Sequence, residues 1–399
     1  MSEKTQIQAE CPKKKLIKRT ATILAVVMVA AFWAGAGALL VGTLAGQGAG
    51  VSAENVRTDL TAEFEYMLSK NMSGIGKIDE ENVVFAPVKR EYSLNDADAV
   101  APNPNSARYG TAETPAELAS VLQEAQDLLD GQETLFTTDT VIKEGSKIQY
   151  YLDDTILAIT WKQVVGNGVY TFSEVKIANA SQFRRFLADG KYGATAEYTT
   201  QEMSKTVNAV VASSGDYYGY RYTGICVNQG VVYRDSGKHL DTCFIDDKGD
   251  LRFVFRGQLE GKEAVEKYIE ENNIRFSLSF GPVMIMDGSY VVPSQYYIGE
   301  INEQFARAAL CQLGQLHYAV VASNYEHPYN SVHSMSEFAW NLLKLGITKA
   351  YALDGGQTAA IVMNDQLINK VSYGAQRKIS DIIYFATAIP EDEWNEVGQ

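Results

Sequence analysis

The stretch Ala350–Asn369 reads AYALDGGQTAAIVMNDQLIN and constrains the fold more than any other part of the chain. A short apolar run, Tyr351 to Leu353, ends in Asp354, and Gly355 and Gly356 follow. Paired glycines let the backbone turn sharply, so the carboxylate is held at the rim of a sheet. Thr358 to Met363 resumes an extended run, Asn364 and Asp365 form a hairpin turn, and Gln366 to Asn369 returns. Read alone, Asp-Gly-Gly is an ordinary structural turn.

The N-terminus carries a different signal. Between Arg19 and Glu54 lie 34 residues without a charge, and a bilayer-spanning helix needs about 20. Lys13, Lys14, Lys15, Lys18 and Arg19 stand just before it, which places the N-terminus in the cytoplasm and the rest outside. A cleaved signal peptide ending near Val51-Ser52-Ala53 is the rival, but its apolar region is usually only about 7–15 residues. The expected organisation is a cytoplasmic basic segment (1–20), a transmembrane helix (21–45), an extracytoplasmic stalk, linker and helix (46–137) and a mixed α/β domain (138–390), in the cell membrane as a single-pass protein. Val56, Leu60, Phe64 and Met67 fit one helical face, either an oligomerising stalk or a helix packed on its own domain; the oligomeric state is left open.

Net charge is −14, and residues 1–19 hold six basic and two acidic side chains, so the remainder carries −18. Such an acidic domain does not bind nucleic acid over a broad surface. Four cysteines and four histidines show no C-x-x-C or His-x-x-x-His spacing, so no His/Cys metal site is expected. Cys226 and Cys243 flank a hairpin-like segment and are either a disulfide or two isolated thiols.

Asn95 to Glu113 is poor in large apolar residues and reads as a flexible linker. Thr114-Pro115-Ala116-Glu117 is a capping box opening a helix with Leu118, Val121, Leu122, Ala125 and Leu129 on its apolar face, attached to the spacer. Strand-like runs follow at Lys147–Leu152, Thr155–Trp161, Val169–Ile177 and, more weakly, Lys191–Thr199. Gly261–Glu271 and the capped segment from Ser334 to Gly346 read as helices. The fold class is therefore mixed α/β (α+β), with a mostly β core and a few covering helices.

Several segments, taken in order, carry a resemblance. Asn208 to Asp216 (NAVVASSGD) with Gly224 and Gly230, Ser279-Phe280-Gly281-Pro282, Arg307 to Gln312, Ser334 to Leu345, Leu353 to Thr358 with Asn369, and Arg377 to Asp381 span much of the second half. This series resembles the phosphodiester glycosidase family, relatives of the enzyme that uncovers sugar phosphates by removing N-acetylglucosamine. Ser214, Ala306 and Val332 depart from the residues common there, Asn, Pro and Gly.

The resemblance implies a glycan or sugar-phosphodiester substrate, no cofactor, and a site among the motif turns; a divalent cation among the aspartates is left open. Cleavage at an anomeric carbon passes through an oxocarbenium-like state that a carboxylate stabilises, attacks, or relieves by activating water. The candidates are Asp354, Asp216 and Asp381, with Arg307 and Arg377 for the phosphate because guanidinium forks onto its oxygens. Asp354, Asp216 and Arg307 are taken as catalytic. Arg377, Asp381, Gly355, Gly356, Gln357, Thr358 and Asn369 are taken as substrate-binding. Tyr217, Tyr218, Tyr220 and Tyr222 offer rings for sugar stacking or are half-exposed strand residues. A second reading is a catalytically weakened glycan-binding or envelope-organising protein, motivated by Ser214 and the stalk.

Overall fold

The computed structural model describes residues 91–96, 100–135, 147–194, 198–298, 300–325 and 332–394, and Arg90–Gln399 is a compact unit. The expected membrane helix and stalk lie outside the described residues. Among the described residues no helix is long and apolar enough to cross a membrane.

The frame is a nine-stranded sheet in the order Tyr109–Ala112, Ile148–Leu152, Ile156–Val165, Gly168–Ile177, His317–Ser323, Ala308–Gly314, Lys349–Leu353, Val283–Met286 and Ser289–Tyr290. Neighbouring strands in it are antiparallel. A second antiparallel sheet runs Gln366–Leu367, Ile361–Met363, Val211–Ser214, Asp381–Phe385 and Phe183–Leu187.

Alternation of side chains along each strand sorts the core into layers. From Gly168–Ile177 and Lys349–Leu353, Tyr170, Phe172, Ala350 and Ala352 face the helices Pro115–Glu124 and Met335–Lys344, packing with Leu118, Val121, Phe338 and Leu342. The opposite set, Val175, Ile177, Tyr351 and Leu353, packs against Val211, Ile361, Ile383 and Phe385 of the second sheet. The outer face of that sheet, with Ala212, Ile382 and Tyr384, is covered by Met203 and Val207 at the helix Thr200–Thr206. Since both faces of the central strands are apolar, they read as nearly continuous hydrophobic runs. A smaller unit, Gly224–Asn228 with Val231–Ser236 and Leu251–Val254, Thr242–Asp246 and Ile274–Leu278, carries the helix Lys262–Asn272.

Helix positions agree with the capping signals. Thr114 and Ser334 both accept from the N3 backbone while Glu117 and Glu337 reach back. The mostly β core with a few helices is as expected.

Two local readings are corrected. The supposed linker and spacer helix belong to the domain, whose start is not at 138. Tyr109–Ala112 pairs with Ile148–Leu152, Asn208 Nδ2 donates to Ala101 O, and Leu118 is fully buried. Edge pairing uses backbone groups, so a segment poor in large apolar residues can still join a sheet. Lys191–Thr199 forms no strand among its described residues; Tyr198 makes an isolated bridge to Ile379, and Thr199 instead caps the helix Thr200–Thr206. Cys226, Cys243 and Cys311 are free and buried, so the first two do not pair.

Candidate active site

Asp354 follows the strand Lys349–Leu353 where the two sheets converge. Its N–H points to Gly215 O at 3.5 Å, and Ser214 Oγ donates to Asp354 O at 3.2 Å. The following chain turns tightly against the residue before Arg307. Gly356 N donates to Ala306 O at 2.7 Å, and a Cβ at Gly355 would stand 2.6 Å from that same oxygen. Glycine at 355 is thus required by close backbone approach. Gly356–Thr358 then forms a 3-10 turn, so the extended run begins only at Ile361.

Arg377 Nη2 donates to Asp354 Oδ2 at 2.9 Å, and Arg377 N donates to Gln357 O at 3.3 Å. Burial pushes the Asp354 carboxyl above its ordinary value, while Arg377, the Thr358 hydroxyl and Arg221 pull it back. Asp354 remains 6 % exposed, and the Arg377 side chain is 43 % exposed, so the pair reaches solvent.

Asp216 and Asp381 have no exposure and share a different task. Arg185, from the strand Phe183–Leu187, bridges them: Nη2 lies 3.0 Å from Asp216 Oδ1, and Nε donates to Asp381 Oδ2 at 2.8 Å. Asp216 also accepts from Tyr218 N and Ser279 N, both at 2.8 Å. Asp381 accepts the Asp216 N–H at 3.2 Å. Burial, together with the Asp216 charge, raises the Asp381 carboxyl against the pull of Arg185. Of the three candidate carboxylates only Asp354 keeps any exposure, and the other two form with Arg185 a buried cluster that ties the Gly215–Asp216 turn to the neighbouring strands.

Arg307 is engaged with loop carbonyls. Its Nε donates to His333 O at 3.0 Å, and its Nη2 donates to Glu300 O at 2.8 Å and Glu303 O at 2.7 Å. Burial lowers it to about 10 against the pull of Glu300 and Glu303. It organises a loop by binding carbonyls. Asn369 is likewise committed to the hairpin, accepting from Ile361 N at 2.8 Å and donating to Ala359 O at 2.6 Å. Thr358 Oγ1 donates to Gly355 O, and Gln357 Nε2 to Ala375 O at 3.2 Å, both bracing the turn. Among the described residues no group of three or more metal-ligating side chains comes together.

Two functional positions escaped sequence reasoning. Arg185 sits in the run FRRFL, where a charge inside an apolar strand signals a buried partner. Arg221 lies among the tyrosines after Asp216; its guanidinium carbon is 4.4 Å from the centroid of Phe280 and 5.2 Å from that of Tyr217. Arg377 stacks on the same Tyr217 at 4.8 Å, and Tyr217 itself has φ 66°, a left-handed conformation uncommon for an aromatic residue. Of the tyrosines proposed for sugar stacking, Tyr218 is buried, whereas Tyr220 and Tyr222 are exposed.

Comparison with known proteins bears on this corner. Residues 206–386 match the family model for phosphodiester glycosidase. A prophage-derived uncharacterized protein of Bacillus subtilis, YomE, is 21 % identical over 208 residues, covering 51 % of this chain and 31 % of that protein, so the match spans about a third of the relative. The zebrafish N-acetylglucosamine-1-phosphodiester alpha-N-acetylglucosaminidase catalytic domain, auto-inhibited by its pro-peptide, aligns with TM-score 0.46 and 16 % identity over 73 % of this chain and 87 % of that one. A hypothetical protein from Synechocystis aligns with TM-score 0.41 and 14 % identity over 58 % and 62 %. The segment 206–386, which holds the Asp354 turn, Asp216 and Asp381, with Arg185 on a strand that precedes it, is a phosphodiester glycosidase family domain.

Proposed function

We propose that this chain hydrolyses sugar-1-phosphodiester linkages of the N-acetylglucosamine type in envelope or exported glycans. The observation that carries this reading is the pairing of Asp354, nearly buried but not sealed, with the half-exposed Arg377 at 2.9 Å, while Asp216 and Asp381 have no exposure. Bond cleavage separates the anomeric carbon from the phosphate oxygen, which keeps the electron pair. Asp354 stabilises or attacks the developing sugar cation, or takes a proton from water that does so. A phosphate monoester is a stable anion, so its departure needs no proton, and a second surface carboxylate is dispensable. Arg377 takes up charge on the departing oxygens. Arg185, Asp216 and Asp381 are positioning residues that hold Gly215, on which the Asp354 backbone rests.

The second reading, a weakened glycan-binding relative, leaned on Ser214. Its hydroxyl supports the Asp354 carbonyl at 3.2 Å in a fully buried place, so serine serves the corner and Ser214→Asn is expected to bring no gain in turnover. For location, we propose that the domain stands outside a membrane on the uncharged segment 21–45; protease accessibility on intact cells tests this, and protection from added protease contradicts it. The reaction is tested by offering the full chain an alkyl N-acetylglucosamine-1-phosphodiester. Release of free N-acetylglucosamine supports the reading, and absence of release at high enzyme concentration removes it.

A further inference from the structure

Arg221 follows the 3-10 turn Tyr218–Tyr220 and lays its guanidinium over Phe280 and Tyr217. Its Nη1 is buried and has no hydrogen-bond partner in the protein. A desolvated guanidinium N–H left unpaired is costly, and such groups in a native fold call for an explanation. The buried Arg185 and Arg307 have partners: Arg185 holds Asp216 and Asp381, and Arg307 holds three carbonyls. Arg234 donates to the carbonyls of Gly224, Tyr218 and Arg221, the last of these fixing the Arg221 backbone.

Arg377 lies on the same Tyr217 ring and holds Asp354. The corner therefore carries two guanidinium charges against one carboxylate, a net single positive charge. That matches a monoanion. The Tyr217 ring lies against both guanidiniums and gathers their charges in one corner, and planar guanidinium donors fork onto phosphate oxygens.

We propose that Arg221 and Arg377 form a two-guanidinium clamp for the phosphodiester monoanion, and that Arg221 selects a phosphorylated anomeric carbon over an uncharged glycoside. This rests on the glycosidase reading for its reaction, although the anion binding stands independently of turnover. Phosphate oxygens and Asp354 draw on the same Arg377 Nη2. An arriving phosphate thus loosens the ion pair and leaves the Asp354 carboxylate free beside the anomeric carbon. Arg221 turns its half-buried guanidinium toward the arriving phosphate, and the unpaired Nη1 gains there the partner it lacks in the protein.

The test is a calorimetric titration of inorganic phosphate into the full chain at fixed ionic strength, for wild type, Arg221→Gln and Arg221→Lys. Saturable binding of one phosphate per chain is expected, weakened roughly tenfold or more by Arg221→Gln because a charge-assisted pair is lost. Arg221→Lys keeps the charge without the fork, so an intermediate affinity is expected, and it carries the test if the glutamine variant does not fold. No saturable binding by wild type, or undiminished binding by both variants, overturns the clamp. Phosphate binding through Arg221 without any sugar release supports the clamp and removes the glycosidase reading. Sugar release with an unchanged KM in Arg221→Gln and Arg221→Lys does the reverse.

Discussion

Gly215→Ala tests how the buried cluster supports the Asp354 corner. A Cβ at position 215 would lie 2.6 Å from Asp381 Oδ1 and closer still to Oδ2 and Cγ. To restore a contact of roughly 3.5 Å, the carboxylate must retreat by about 1.4 Å from its nearest oxygen, Oδ2 at 2.1 Å. That retreat breaks the 2.8 Å bond from Arg185 Nε and strains the 3.2 Å bond from Asp216 N. Overpacking costs about 1–3 kcal/mol, and breaking a buried ion pair about 3–5 kcal/mol. The displacement is shared between side chain and backbone, so a loss of about 3 kcal/mol is expected, or about 5–10 °C in melting temperature for a domain of this size. Calorimetric melting measures it, and a double-mutant cycle with Asp381→Ala isolates the cause: in that background the alanine at 215 costs almost nothing. A Gly215→Ala protein that melts within a degree of wild type refutes the reasoning. So does a full loss that persists after Asp381 is removed.

Other expectations follow from the same structure. Leu118→Ala lowers stability by about 2–5 kcal/mol in urea unfolding, since Leu118 is fully buried against the central sheet; a neutral result returns the helix to a spacer. The Asp381 carboxyl titrates near 7 in the fold against an ordinary 3.8, so between these values the folded state keeps a proton that the unfolded chain has released. The cluster's contribution is largest below the ordinary value and is lost as pH rises through about 7; Asp381→Asn flattens this slope in urea midpoints, and an unchanged slope contradicts it. Arg377→Gln raises the KM for a sugar-1-phosphodiester and moves the acid limb of the kcat profile to higher pH, because Arg377 holds the Asp354 carboxyl down. A limb that stays or moves lower counts against their coupling.

Legibility from sequence followed the range of the forces involved. Capping boxes at Thr114 and Ser334 are local hydrogen-bond patterns, and both appear in the structure. The Asp354 turn was legible because the paired glycines and the apolar strand before it fix the backbone there. Tyr109–Ala112 was missed because its partner, Ile148–Leu152, is distant in sequence and its pairing uses backbone groups that carry no residue signature.

The roles of charged residues were least legible. Asp216, Asp381 and Arg307 stand in motif positions, yet their partners come from other strands and loops: Arg185 for the first two, the carbonyls of Glu300, Glu303 and His333 for the third. A motif places a carboxylate at a turn; only the tertiary neighbours decide whether it faces solvent or an internal guanidinium.

Asp354 is the proposed reacting carboxylate. Release of free N-acetylglucosamine from its 1-phosphodiester, compared between the full chain and Asp354→Asn at matched melting temperature, measures this directly. A fall in kcat of roughly a thousandfold or more is expected, the scale for removing a reacting carboxylate. Wild-type turnover by Asp354→Asn would contradict it.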